Sequence, residues 1–147
     1  MTVPKPGQEQ ESVERWEIVS GRLLSGLVIL FLAMDSVMKL LVIQPVIEAT
    51  AQLGWPTDAT TIRILGGILL AATLLYAWRP TALLGAILVT AYLGGAVATH
   101  ARIGNPLFTH ILFGAYLGVM TWAGLWLRDP QLRRLLPMAA FDPGRDS

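Results

Sequence analysis

Two charged residues lie inside the first long apolar segment of the chain. Asp35 and Lys39 are surrounded by hydrophobic residues of the stretch 23–43. A charge at the centre of a membrane-spanning helix costs about 2.5–3.5 kcal/mol on insertion scales. Because the two residues are four positions apart, they share one face of a helix and can form an ion pair.

This charged pair has two interpretations. In the first, Lys39 neutralises Asp35, and the pair only holds its helix against the neighbouring helices. In the second, the pair forms the floor of a polar pocket that opens toward the non-cytoplasmic side. Ionisable residues inside membrane segments are candidates for function, because their insertion is costly. The sequence leaves both interpretations open.

Further polar side chains are expected at the level of this pair. His110 shares a helix face with Gly114 and should therefore point toward a neighbouring helix. Together with Asp35 it would supply an acid and a base, which suit proton-coupled chemistry on a small lipophilic substrate such as a quinone. The candidate catalytic residues are Asp35, Lys39 and His110, and the candidate substrate-binding residues are Arg63, Tyr92, His100, Arg102 and Asn105.

Each of these residues also has a structural interpretation. A histidine at a helix end often forms interfacial hydrogen bonds, and Arg63 and Arg102 could bind lipid headgroups. His100 and His110 could ligate haem or another metal. The sequence has no haem-attachment motif and no third ligand, so haem is disfavoured and no metal site is predicted.

The composition indicates that the bilayer is the solvent for much of the chain. Of the 147 residues, 54% are hydrophobic and 14% are charged, against about 25% charged residues in a soluble domain. A net charge of +1 gives no broad basic surface for nucleic acid. The absence of cysteine excludes disulfides and a dithiol relay on this chain. Four short apolar segments without an internal repeat disfavour an alternating-access transporter.

Four apolar stretches are long enough to cross a bilayer, which requires about 17–25 residues. They cover residues 23–43, 62–78, 81–99 and 107–127. None of them alternates polar and apolar residues as the strands of a membrane barrel do. The predicted fold class is therefore all-α, an integral membrane four-helix bundle.

The remaining segments complete the predicted organisation. Residues 1–21 are interpreted as a polar, disordered tail, 22–127 as the transmembrane domain, and 128–147 as a basic interfacial segment with the C-terminal tail. Residues 45–53, between the first two spans, are predicted to form a short amphipathic surface helix that ends at Gly54.

Basic residues are distributed unevenly between the two ends of the predicted bundle. One end holds Lys5, Arg15, Arg22, Arg79, Arg128, Arg133, Arg134 and Arg145, and the other holds Lys39, Arg63 and Arg102. Because cytoplasmic ends carry the excess of basic residues, both termini are predicted to be cytoplasmic, in a bacterial inner membrane. The basic residues of the cytoplasmic end are interpreted as simple anchors, with Arg133 and Arg134 on anionic headgroups.

Small residues repeat at four-residue intervals on the last two spans. The pairs are Ala91 with Gly95, Gly94 with Ala98, and Gly114 with Gly118. Such spacing lets helix backbones approach closely. It could serve the packing of the bundle, a homo-oligomer or the docking of a partner protein.

Three segments of the chain resemble DoxX-like membrane proteins. They are GRLLSG at 21–26 with 31–39, the block 84–110 with AYLGGAVATH at its centre, and WLRDPQLR at 126–133. The resemblance extends over about residues 20–137. It implies a four-helix membrane bundle and a loose association with redox partners, since the wider family takes its name from a subunit tied to quinone-linked sulfur oxidation.

The recurring family positions include most of the candidate residues, although the resemblance assigns none of them a role. They are Asp35, Lys39, Tyr92, His100, Arg102, Asn105 and His110. The leading hypothesis is a membrane protein that binds a lipophilic molecule, such as a quinone, and acts as an oxidoreductase component. The alternative is a non-catalytic subunit or scaffold that docks a partner through its glycine-rich helix faces.

Overall fold

The computed structural model describes residues 6–106 and 112–135, and the secondary structure of these residues is entirely helical. The helices are α1 (Pro6–Leu41), α2 (Gln44–Gln52), α3 (Ala59–Ala77), α4 (Ala82–Arg102), α5 (Leu112–Arg128) and α6 (Pro130–Leu135). A 3₁₀ turn (Arg79–Thr81) joins α3 to α4. The predicted all-α class is confirmed.

Three helical segments in the described part of the chain are long and apolar enough to cross a membrane. They are Arg15–Leu41, Ala59–Ala77 and Arg79–Arg102. Each overlaps one of the first three predicted spans. The fourth predicted span overlaps α5, and its first five residues, 107–111, lie outside the described residues.

Helix α1 begins earlier than the sequence indicated. The segment 1–21 was interpreted as a disordered tail, but the chain is helical from Pro6 onward. Proline is tolerated at the start of a helix because its missing N–H would have no partner there. The glutamate and glutamine residues that follow are good helix formers. Polarity at the start of the chain therefore did not prevent helix formation.

The connection between α1 and α3 contains the predicted short helix, α2. The chain turns at Val42, whose φ of 53° is unusual for a β-branched residue. Pro45 lies in the first turn of α2. Gly54 follows the helix with a φ of 72°, a conformation that glycine adopts without steric cost. The predicted helix and its end are thus confirmed.

The longer helices pack in a cyclic order. Helix α1 contacts α3 and α5, and α4 contacts the same two helices. The buried core is made of residues from all of them, including Leu32, Leu69, Val89 and Leu117. In a bilayer the core residues gain little from leaving lipid, so close backbone packing has to supply much of the attraction between helices.

Candidate functional site

A cavity of about 560 Å³ lies among α1, α3, α4 and α5 and is also lined by α2 and the loop after it. Most of its lining is apolar. Aromatic rings contribute much of this surface, from Phe31, Trp55 and Phe113. Five of the predicted site residues line the cavity: Asp35, Lys39, Tyr92, His100 and Asn105. The structure therefore brings together residues from α1, α4 and the turn after α4.

The ion pair that the spacing indicated is present on α1. Lys39 Nζ lies 2.5 Å from both carboxylate oxygens of Asp35. The two side chains are only 19% and 28% exposed, respectively. Pairing offsets the cost of removing each charge from water. A carboxylate has about four lone-pair positions, so Asp35 can accept a further hydrogen bond from a molecule in the cavity.

A second polar pair lies where α4 ends. The chain reverses at Gly104, whose φ is 71°, and the Asn105 backbone N–H donates to the His100 carbonyl at 3.1 Å. This turn places the Asn105 amide nitrogen 2.7 Å from His100 Nδ1. The amide NH₂ can donate to Nδ1 when the neutral ring carries its proton on Nε2. Asn105 therefore holds the imidazole ring in place.

Tyr92 lies on α4 two turns before His100 and is half-buried in the cavity wall. Its hydroxyl makes no hydrogen bond with any residue in the ranges 6–106 and 112–135. The ring contributes apolar surface, and the hydroxyl is a donor available to a ligand. The helical spacing of these two residues explains why they share this wall.

The two arginines predicted to bind substrate do not line the cavity. Arg63 Nε donates to the Leu40 carbonyl at 3.3 Å, and an Arg102 guanidinium nitrogen donates to the Leu53 carbonyl at 2.9 Å. Both arginines are exposed. They tie the ends of α3 and α4 to neighbouring segments. His110, the third candidate catalytic residue, lies outside the described residues.

The sequence interpretation missed the contribution of α2 and its following loop. Thr50, Gln52, Leu53 and Trp55 all line the cavity. Burial of Val46 and Thr50, four residues apart, shows that one face of α2 packs inward. The short helix was predicted from the sequence, but its position in the cavity wall was not.

The opposite end of the helices holds a polar network that the sequence interpretation also missed. Tyr76 is fully buried, and its hydroxyl lies 3.0 Å from Ser25 Oγ and donates to the Thr121 carbonyl at 2.8 Å. Arg128 donates to the Tyr76 carbonyl at 2.8 Å, and its guanidinium carbon lies 4.7 Å from the ring centroid. We call this network, Ser25, Tyr76, Thr121 and Arg128, the Tyr76 network.

Arg133 is also bound within the protein. Its guanidinium lies 2.6 Å from a Glu17 carboxylate oxygen and donates to the carbonyls of Trp126, at 3.0 Å, and Leu127. The interpretation of Arg128 and Arg133 as simple anchors is therefore wrong. Helix C-terminal carbonyls lack partners within their own helix, and arginines that are near in the fold satisfy them.

Within residues 6–106 and 112–135, no group of three or more His, Asp or Glu side chains is placed to hold a metal ion. The polar residues that line the cavity include a carboxylate paired with an ammonium, a tyrosine hydroxyl and a histidine held by an amide, besides Thr50, Gln52 and Thr99. Such a set can exchange hydrogen bonds and protons with a polar group on a bound molecule. The apolar walls suit the remainder of a lipophilic molecule.

Comparison with known proteins adds one finding. A family model described as the DoxX-like family matches residues 23–124, which is more than half of the chain. The matched region contains every described residue of the cavity. No curated protein and no solved structure matched the chain.

Proposed function

The chain belongs to the DoxX-like family, and we propose that it is a multi-pass membrane protein that binds a lipophilic molecule, such as a quinone, in its cavity. In this proposal it acts as an oxidoreductase component of a bacterial inner membrane. With no cysteine for a dithiol relay, the electrons would come from a redox partner, and the cavity residues would bind the acceptor and exchange its protons.

The proposed architecture is a four-helix membrane bundle with both termini in the cytoplasm. Helix α5 packs on α1 and α4, as a fourth member of the bundle must. The predicted fourth span, 107–127, is within the range of about 17–25 residues that cross a hydrocarbon core. The excess of basic residues at the Arg79 and Arg128 end supports the orientation.

The observation that carries this function is the convergence of polar residues in an otherwise apolar cavity. Lys39 and Tyr92 can donate hydrogen bonds to the carbonyl oxygens of a quinone, and Asp35 can accept one from the hydroxyl of a quinol. Two-electron reduction of a quinone takes up two protons. An acid and a base within reach of the ring oxygens would favour that uptake.

Equilibrium binding tests this function. The purified protein in lipid nanodiscs is titrated with a benzoquinone that has a ten-carbon tail, and quenching of tryptophan fluorescence is followed. We expect the double variant Asp35→Asn, Lys39→Met to bind about tenfold more weakly, because one or two hydrogen bonds to charged groups are lost. Replacing both partners avoids leaving one buried charge alone.

Glu48→Gln is the matched control for this titration. Glu48 is an exposed carboxylate on α2 that accepts a hydrogen bond from Gln44 and does not line the cavity. Its replacement should leave the dissociation constant unchanged. A double variant at positions 35 and 39 that binds the quinone as tightly as the wild type would overturn the proposed function.

A second candidate function is the docking of a partner protein without catalysis. Gly94 on α4 and Gly118 on α5 have no neighbouring atom within 4 Å of the position where a Cβ would stand. Gly114, by contrast, faces Val97 and serves packing within the protein. Gly94 and Gly118, unlike Gly114, therefore remain accessible to a helix of another protein.

The two functions predict different sensitive residues. Leucine at Gly94 and Gly118 would block close approach of a partner helix, whether that of a redox partner or of a second copy. Under the docking function, Gly94→Leu with Gly118→Leu abolishes a defined complex in mild detergent and leaves quinone binding unchanged. A complex that survives both substitutions would exclude docking through these faces.

A further inference from the structure

The cavity is bounded by four seams between neighbouring helices, and contacts close the two seams beside α1. Between α1 and α3, a Cβ at Gly66 would lie only 2.8 Å from the Cβ of Lys39. Between α1 and α5, the rings of Phe31 and Phe113 meet edge to face with centroids 5.3 Å apart. Of these residues, Lys39, Phe31 and Phe113 line the cavity, so both contacts lie at its level.

The seam between α4 and α5 is closed as well. A Cβ at Gly114 would lie 2.8 Å from a methyl group of Val97. Both of these residues line the cavity. About two helical turns away from this contact, the Trp122 ring nitrogen donates to the Thr90 hydroxyl at 2.9 Å. These two contacts hold the helices together on this side.

The seam between α3 and α4 has close contacts at its two ends, and Leu69 of α3 and Val89 of α4 belong to the same buried core. At the hairpin end, Gly85 packs directly on the backbone of Tyr76, so close that a Cβ would overlap it. At the other end, Arg102 on α4 bonds to the Leu53 carbonyl, so the loop that leads into α3 crosses the seam.

Between these two closures the cavity reaches the molecular surface. Ala91 and Gly95 on α4 both line the cavity and are both exposed. A Cβ at Gly95 would meet no atom within 4 Å. On the facing helix, Leu65 and Leu69 line the same space. Gly95 has no side chain and Ala91 only a methyl group, so little side-chain volume covers the cavity at these two positions.

This gap opens in an apolar part of the molecule. Helix α4 belongs to the candidate membrane span Arg79–Arg102, and positions 91 and 95 lie in its interior. When this segment crosses a bilayer, a gap at these positions faces acyl chains rather than water. A molecule that uses the gap must therefore be soluble in hydrocarbon.

We propose that the gap bordered by Leu65, Ala91 and Gly95, which we call the α3–α4 window, is where the ligand passes between the bilayer and the cavity. The inference rests on the proposed function and specifies its ligand. The ligand is a tailed amphiphile: a single-ring polar head lies beside Asp35 and Lys39, and a hydrocarbon tail leaves through the window into the acyl chains.

The size of the cavity supports this division of the ligand. A pocket of 560 Å³ is within the range of about 300–1,000 Å³ that encloses a small molecule. A one-ring head fits in such a volume together with the first part of a tail. In this proposal a longer tail extends through the window into the acyl chains.

Two substitutions in the window test the inference. Gly95→Leu and Ala91→Phe add side-chain volume at the gap and replace no polar residue, and a Cβ at Gly95 meets no atom within 4 Å. The probes are the benzoquinone with a ten-carbon tail and the same ring without a tail, titrated in nanodiscs. Gly94→Leu is the matched control, because Gly94 is exposed on the same helix and does not line the cavity.

The expected result is a loss that depends on the tail. The wild type and Gly94→Leu bind the tailed quinone at least tenfold more tightly than the tail-less ring. Gly95→Leu and Ala91→Phe lose that preference, bind the tailed quinone with a slower association rate, and retain affinity for the ring. Partition of the tail into lipid is the same for every variant, so the difference between variants reports on the protein.

Different outcomes overturn the inference and the function on which it rests. Unchanged tail preference and association rate in both window variants overturn the window alone. Equal affinity of the wild type for the tailed and the tail-less quinone also overturns the window inference alone. A wild-type protein that binds neither quinone overturns the proposed function, and the window inference with it.

Discussion

Two tyrosines on neighbouring helices show how the two ends of the molecule differ. Tyr76 is fully buried, and its hydroxyl is engaged by Ser25 and by the Thr121 carbonyl. Tyr92 is half-buried in a cavity wall, and its hydroxyl has no hydrogen-bond partner among the described residues. The first tyrosine uses its polar group for stability, whereas the second keeps its polar group available.

The glycines follow this division only in part. Around the Tyr76 network, Gly85 packs on the α3 backbone, and a Cβ at Gly124 would lie 2.6 Å from Ser25 Oγ. Beside the cavity, Gly95 has open space. Close backbone packing at one end therefore holds the helices together, and the other end can leave a cavity open. Gly66 and Gly114 also pack closely at the cavity end, against Lys39 and Val97, so the open position at Gly95 is confined to one seam.

The largest effect is expected from a methyl group at the packed end. Gly85→Ala should destabilise the protein by about 3 kcal/mol, because the added carbon overlaps the Tyr76 backbone and the two helices must separate. Gly94→Ala is the control, since nothing lies near that position. Thermal unfolding in mild detergent measures both variants. Equal melting temperatures for the two variants would show that close packing at Gly85 does not stabilise the protein.

A smaller effect is expected when each tyrosine loses its hydroxyl. Tyr76→Phe should lower the free energy of unfolding by about 1–2 kcal/mol, since the Ser25 hydroxyl loses its buried partner. Its quinone affinity should be unchanged. Tyr92→Phe should do the reverse: unaltered stability and severalfold weaker quinone binding. Unfolding and binding are measured on both variants, and a stability loss at Tyr92 equal to that at Tyr76 would contradict the division of roles.

The smallest effect belongs to the surface cap of α3. Asp58 accepts hydrogen bonds from the Thr61 backbone N–H and hydroxyl, both at 2.8 Å, and the backbone bond in particular lowers the pKa of this carboxyl from its usual value. A lowered folded-state pKa means that the stabilisation is present above the unfolded-state pKa. It is lost as the pH falls through the folded-state value.

Asp58→Ala should therefore melt slightly below the wild type at pH 6 and together with it at the lowest pH at which the protein stays folded. Asp58→Asn retains a capping oxygen and should lose only the pH dependence. Melting curves from pH 6 downward measure both variants. A difference between the wild type and Asp58→Ala that grows toward low pH would have the wrong sign and would exclude the capping argument.

Much of the candidate site followed from local spacing. The ion pair of Asp35 and Lys39 required only that its segment be a helix, because residues four apart share a face. The shared wall of Tyr92 and His100 followed from the same periodicity. Arg63 and Arg102 were predicted to bind substrate because they lie at the same end of the helices as the ion pair. That position along the helices does not decide which side chains reach the cavity.

The contributions of α2 and of the Tyr76 network could not be obtained in this way. Trp55 lines the cavity next to Leu53, whose carbonyl accepts a hydrogen bond from Arg102 at the end of α4, and no local pattern encodes this contact. Arg128 bonds to the Tyr76 carbonyl across 52 positions of sequence. A basic residue near a span end looks the same in the sequence whether it binds a headgroup or a helix end.

Sequence alone determined the apolar helical segments, the membrane character of the chain and the pairing of its two intramembrane charges, but not the early start of α1. These depend on hydrophobicity and on the period of the helix, which are properties of residues close in the chain. Only the tertiary structure decided which seams are closed and where the cavity reaches the surface. Those features depend on distances between helices, which are set by side-chain size at contacts between residues far apart in the sequence.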